Sequence, residues 1–443
     1  MQRIHQLVNA FLRKTGHTIS QVIAKINIHR RSSQRREAFG AILWNFTGML
    51  FSLITGVLTA RLLDPDDRGL LALAITVSSV GFLISSMGTN HAVRTFQPKA
   101  PWASLRTYLR LTTLLLVLNL IIVSSVLTVF VLVGFTDFSI NIIIISLLGA
   151  FTFLGSQMLD LFNAVGRVSL SAFANTIGHF ITMVVLVGIY LLDATSHPLM
   201  GALCAYVTGF LVRILAMIVF IKRFKVDLGT VSADKGKSLL RNGIRFWGIG
   251  LGQTLTFRSD QLFLGFLSNA YNLGIYAVAV TPASLMQVVS NSIGQVAYRE
   301  AAAGTMTVQK YKKFLSISLG ITLIYGCLIW ISAPWLIPFV FGSDYADSVV
   351  IVRTLLIAEL LLSPYLITVR VLAGYNRPYI SSASGILGFV TLAVVLSILV
   401  PVHGALGAAL GSVVAYGVML LVVGVGINKT FKRQEVPSHM GGI

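Results

Sequence analysis

Apolar runs of about 20 residues recur some twelve times between residues 39 and 427 of this 443-residue chain, separated by short polar breaks. A helix rising about 1.5 Å per residue needs roughly 20 apolar residues to cross a hydrocarbon core of about 30 Å. The pattern predicts an all-α polytopic membrane protein. Hydrophobic residues at 55% and charged residues at 11% agree, because they leave too little polar surface to cover a soluble globule of this size.

The predicted spans are 39–60, 70–90, 108–133, 140–164, 168–192 and 200–221, followed by 244–268, 274–297, 314–333, 346–372, 379–400 and 404–427. They form two sets of six. The expected organisation is a basic tail (1–38), an N-terminal six-helix bundle (39–221), a linker (222–243), a C-terminal six-helix bundle (244–427) and a C-tail (428–443).

A net charge of +19 raises nucleic acid as a partner, but the placement of the charge argues against it. With the N-terminus inside, 30 of the 34 Lys and Arg fall in the tails, the inner loops or the helix ends bordering them. The exceptions are Arg61, Arg68, Arg258 and Arg353. The predicted outer loops carry Asp64, Asp66, Asp67, Asp137, Asp193, Asp344 and Asp347. Because Lys and Arg resist translocation, both termini are expected in the cytoplasm, and the surplus charge is expected against anionic lipid headgroups.

The first 38 residues lack the continuous apolar stretch of a cleaved signal peptide. Ile4, Leu7, Val8, Phe11 and Leu12 recur there at near-helical spacing among basic residues, which suits a helix on the inner membrane surface or a solvated tail. Cys204 and Cys327 lie in separate spans and suggest no disulfide. The scattered histidines show no metal-ligand spacing, so neither a metal nor another cofactor is expected.

A shift of 205 residues brings the halves into register. Leu63 to Ala74 reads LDPDDRGLLALA and Ser268 to Ala279 reads SNAYNLGIYAVA, so Gly69 falls on Gly274, Ala72 on Ala277 and Ala74 on Ala279; further along, Arg94 falls on Arg299. A second echo links Gly201–Ala202 with Gly404–Ala405, and a third links the turns at 166–172 and 375–383. Repeats of six helices enter from the same side, so a pseudo-two-fold axis along the membrane normal is expected, with a substrate route at the shared interface.

Charges inside spans are costly and usually face a cavity or a partner. Arg258 and Asp260 lie in the seventh span, and residues two apart on a helix point about 200° from each other. One of them must therefore face another helix or a wet cavity, as a structural ion pair or as a substrate or coupling-ion group. Their counterparts at the 205-residue offset, Leu53 and Thr55, are uncharged. Arg94 and Arg299 sit at matching inner helix ends, where the orientation rule expects basic residues and where a guanidinium fork also suits an anionic group. Arg353, Glu359, Asp160 and Asn163 read as a buried network. Gly248, Gly250 and Gly252 follow no strand and suit close helix packing rather than dinucleotide binding.

The segments ARLLDPDDRGLLALA, SDQLFLGFLSNAYNLGIYAVA and LFNAVGR resemble the polysaccharide-transport family of oligosaccharide flippases, in the superfamily that also holds multidrug exporters. The resemblance covers nearly all of the chain after residue 38. It implies two six-helix bundles forming a V around a central cavity, and movement of polyprenyl-diphosphate-linked sugar repeats across the bacterial inner membrane by alternating access, without enzymatic activity. The positions it carries over are Arg61 to Gly69, Asp260, Gly274, Tyr276 and Ala279; Arg258 fits the basic tendency of family cavities. The substrate-binding candidates are thus Arg258, Asp260, Arg94, Arg299 and Arg61. The expected partners are the lipid-linked oligosaccharide, membrane lipids, a coupling cation (sodium or proton), and a polysaccharide polymerase and glycosyltransferases. Lipid II flippases usually have fourteen helices, which counts against that substrate. The competing reading is a cation-coupled multidrug exporter, which is expected to present acidic residues.

Overall fold

A computed structural model of the chain describes residues 36–37, 39–96, 104–132, 141–192 and 197–435. The amphipathic pattern expected in the first 38 residues, and the second half of the C-tail, lie outside these. Fourteen helices account for nearly all of the described residues. The first half holds α1 (Phe39–Leu62), α2 (Pro65–Ser85), α3 (Thr89–Phe96), α4 (Leu105–Leu132), α5 (Asn141–Val165), α6 (Val168–Leu192) and α7 (Pro198–Arg223). The second holds α8 (Ala233–Thr256), α9 (Ser259–Leu267), α10 (Ala270–Ser284), α11 (Met286–Ala302), α12 (Val308–Phe341), α13 (Ser348–Gly374) and α14 (Pro378–Glu435).

Nine of these are individually long and apolar enough to cross a membrane, and the α10–α11 pair, bent by 42°, passes as one broken span. Leu192, Phe339 and Leu421 are 77%, 76% and 71% exposed, and an apolar belt of this kind requires lipid rather than water. The chain is a multi-pass membrane protein.

Several predicted spans are interrupted. The second breaks at Met87 and Gly88, both at positive φ, so that α3 departs from α2. The seventh breaks at Arg258 (φ −129°, ψ −17°), where α8 ends and α9 begins. Arg258 and Asp260 therefore do not share one continuous helix. The eleventh and twelfth spans run together as α14, which turns at Gly404 (φ 52°, ψ −127°), a conformation that a Cβ would forbid.

The repeat is visible in matched local structure. The Asp64 side chain accepts from Asp67 N at 2.8 Å to cap α2, and the Asn269 side chain accepts from Asn272 N at 2.9 Å to cap α10. Both pairs stand 205 residues apart, and Asp and Asn are short acceptors that satisfy free N–H groups at helix starts. The α5–α6 and α13–α14 turns also match. Arg167 N donates to Phe162 O at 3.0 Å and Arg377 N to Leu372 O at 2.9 Å, with Gly166 and Asn376 at φ 83° and 59°.

Within each half the helices pack mainly on one another, while α2 packs on α10 and α3 on α8 across the boundary. At the end carrying Asp64 and Asp344, here called the acidic end, Tyr345 Oη donates to Leu63 O at 2.9 Å. At the opposite, basic end, Trp247 Nε1 donates to Leu83 O at 2.9 Å, and Arg106 N donates to Leu228 O at 2.7 Å, so the linker is tied to the start of α4. Gly252 packs against the backbone at Gly385 and Ile386, which accounts for one glycine of the 248–252 run by close packing.

Candidate functional site

Three polar cavities lie in and between the two halves, and most of the intramembrane charges border them. The first, about 370 Å³, is lined by α1, α2, α3, α5 and α6 and is bordered by Arg94, Asp160, Asn90 and Asn163. Asp160 is buried and Arg94 pairs with it. The Arg94 guanidinium is thus committed to a carboxylate. Its counterpart Arg299 is exposed on α11 and borders none of the three cavities.

The second cavity, also about 370 Å³, lies in the second half, where α9, α10, α11, α13 and α14 meet. Asp260 is 7% exposed; Tyr276 Oη donates to its Oδ2 at 2.6 Å and Gln261 N to its Oδ1 at 2.8 Å. Across the cavity Gln287 Nε2 donates to Glu359 Oε1 at 2.8 Å, while Glu359 Oε2 is buried without a hydrogen-bond partner. Neither carboxylate pairs with a cation among the described residues. Arg258, exposed at the α8–α9 break, borders the same cavity. Asp260 and Glu359, each held by neutral donors, thus both border this cavity.

The third cavity, about 480 Å³, lies between the halves, lined by α1, α2, α6 and α7 on one side and α10 on the other. Arg68 borders it, 7% exposed, with its Nε buried and unpartnered. Asn45 and Asn175 line both this cavity and the first.

The four arginines that break the charge-placement rule thus divide. Arg68 and Arg258 border cavities. Arg61 instead donates through Nε to Val340 O at 3.0 Å and through Nη2 to Phe339 O, at the C-terminus of α12. Arg353 donates to Trp330 O at 3.2 Å and lies over that indole ring. Sequence reasoning set Arg61 among the binding residues and passed over Arg68, although both broke the same rule. Which of them turns inward depends on helix packing.

Arg213, which falls within the last predicted span of the first half, was not among the candidates either. It is 5% exposed, enclosed by α5, α6 and α7, and donates through Nη1 to Asn175 Oδ1 at 3.1 Å. Its Nε and Nη2 are buried without hydrogen-bond partners, and the guanidinium lies over the Phe210 ring, 4.4 Å from its centroid. Glu359 and Asp160, read as a buried network, are buried, but they belong to separate cavities.

The fold is shared with solved transporters. An inward-facing multidrug-resistance transporter matches with a TM-score of 0.66 at 17% identity, over 90% of this chain and 100% of that one. The lipid II flippase MurJ in its inward closed conformation matches with a TM-score of 0.67 at 13% identity, over 89% of each chain. A transporter from Pyrococcus furiosus Vc1, noted for the reverse polarity of its binding pocket, matches with a TM-score of 0.59 at 18% identity, over 91% of this chain and 97% of that one. No curated protein matches the chain. Residues 35–298, more than half of the chain, match the family model described as polysaccharide biosynthesis protein. With its helical halves and their matched caps, the chain belongs to the polysaccharide biosynthesis protein family.

Proposed function

We propose that this protein is a flippase that carries polyprenyl-diphosphate-linked oligosaccharide repeat units across the bacterial inner membrane by alternating access. In this reading it is a transporter rather than an enzyme, residues 39–221 and 244–427 are its two moving bundles, and both termini are cytoplasmic. The observation that carries it is Arg68, a buried guanidinium with an unpartnered Nε at the edge of a cavity between the halves. A buried cation without a counter-charge is costly, and an anionic ligand offsets that cost. Arg68 and Arg258 are the residues we assign to the diphosphate, and Asp260 with Glu359 to a coupling proton or sodium ion. Polysaccharide polymerase and glycosyltransferases are the enzymes this product and substrate call for.

The buried carboxylates Asp260 and Glu359 also support the second reading, a cation-coupled multidrug exporter, because a cationic drug would find its partner there. Proteoliposomes carrying a defined polyprenyl-diphosphate-linked sugar separate the two. The flippase reading expects protein-dependent transfer of the sugar between leaflets, reduced at least tenfold in Arg68→Ala. Transfer indistinguishable from empty vesicles, with uptake of cationic dyes, would establish the exporter. Reporter fusions at Asp193 and Lys235 test orientation and are expected outside and inside respectively.

A further inference from the structure

The cavity within the first half has a lining unlike the other two. Asn45, Asn90, Asn163 and Asn175 border it, together with Ser156 and the Arg94–Asp160 pair. Asn90 is 7% exposed and its Oδ1 is buried with no partner; Asn163 Oδ1 is likewise buried and unpartnered. Asn175 is oriented by Arg213, which donates to its Oδ1 and so leaves its amide NH₂ to donate elsewhere. Phe82, held edge-on by Phe153 with centroids 6.1 Å apart, contributes an apolar ring at one wall.

The charges here cancel. The guanidinium and the carboxylate are paired, so the cavity lining carries no net charge. What remains is a dense set of amide donors and acceptors beside an aromatic face. Desolvated amides left unpaired are costly, and by turning toward the cavity they border these side chains can pair with a ligand that carries many hydroxyls. At about 370 Å³ the cavity lies at the lower end of the roughly 300–1,000 Å³ typical of small-molecule sites. It adjoins the Arg68 cavity, with which it shares Asn45 and Asn175.

We propose that this asparagine-lined cavity is the subsite for an uncharged sugar unit of the substrate, read through its hydroxyl and amide groups. The proposal rests on the flippase reading. The sugar enters the first half while the diphosphate stays at the boundary between halves, and discrimination among glycans resides in α3, α5 and α6. A site built to hydrogen-bond a hydroxyl strongly rejects an analogue lacking it, because its buried polar groups are left unpaired.

The test compares transfer of a polyprenyl-diphosphate-linked disaccharide of neutral sugars with transfer of the bare polyprenyl diphosphate. The wild-type protein is expected to favour the disaccharide-linked lipid at least tenfold, and Asn90→Ala and Asn163→Ala are expected to bring that ratio close to one. A second measurement does not depend on those variants folding. In a Cys204→Ala, Cys327→Ala background, maleimide labelling of Ser156→Cys, which borders the first cavity and not the Arg68 cavity, is expected to slow several-fold with the disaccharide-linked lipid and little with the bare lipid. If the wild type transfers the disaccharide-linked lipid but both alanine variants keep its preference, or the two lipids protect Ser156→Cys equally, the subsite is wrong and the flippase reading stands. If the wild type transfers neither lipid, both fall together.

Discussion

Gly69 in α2 and Gly274 in α10 face one another across the boundary between the two halves, each against the other's backbone. A methyl group on Gly69 would collide with Ala270 O and lie 3.0 Å from Gly274 N; one on Gly274 would collide with Pro65 O and lie 3.1 Å from Gly69 N. Pro65 and Ala270 stand at the same 205-residue offset as the glycines themselves. The contact is thus reciprocal, the mark of an interface built on a two-fold axis. Small residues let helix backbones approach closely in a membrane, where packing rather than hydrophobicity drives association.

Gly69→Ala and Gly274→Ala are each expected to destabilise the detergent-solubilised protein by about 1–3 kcal/mol, the usual range for overpacking. Both act on one contact, so the double variant should lose less than the sum of the two. Thermal unfolding of all four proteins measures this, and strict additivity would mean the two glycines are not coupled.

Arg61 is expected to act as a latch at the acidic end. Its guanidinium caps the C-terminus of α12, where a cation is worth about 0.3–1 kcal/mol. At the 205-residue offset stands Phe266, which stacks on Phe130 of α4 with centroids 3.9 Å apart. One polar and one aromatic closure therefore occupy equivalent places. Arg61→Ala should raise labelling of Ser284→Cys by an impermeant maleimide applied from the acidic end, with Arg61→Lys intermediate. Equal labelling in all three would return Arg61 to the candidate substrate contacts.

Asp260 and Glu359 are expected to confer cation dependence. A ligand that binds only the folded protein stabilises it by about 2.7 kcal/mol at 100 times its Kd. Either sodium or acidification should therefore raise the melting temperature of the wild type, and Asp260→Asn and Glu359→Gln should abolish the rise. Glutamine at 359 preserves shape and keeps an acceptor for Gln287, so the loss would report charge rather than packing. An unchanged response in both variants would remove the coupling role.

Arg213→Met is expected to stabilise the fold while slowing transport. Removing a buried guanidinium with two unpartnered atoms relieves a desolvation cost of about 1–3 kcal/mol. The same change frees Asn175 from the group that orients it. Melting temperature and transfer rate measured on one preparation should move in opposite directions; a variant that is both less stable and inactive would make Arg213 a structural residue.

The class of this protein, its spans and its duplicated register were legible in the chain because each is local or periodic. Apolar length marks a crossing wherever it occurs, and the 205-residue shift aligns caps and glycines that recur in each copy. The helix breaks at Met87 and Arg258 were not legible, since no proline precedes them and contacts made by distant helices decide where the chain bends. The site was half legible. Charge in an apolar run announced Arg258 and Asp260, but Arg61, Arg68 and Arg213 looked alike as isolated basic residues. Tertiary packing separated them. One meets the carbonyls that end α12, one meets a cavity between the halves, and one is enclosed within the first half. A side chain's direction depends on how its helix is rotated against neighbours tens to hundreds of residues away, and no local pattern records that rotation.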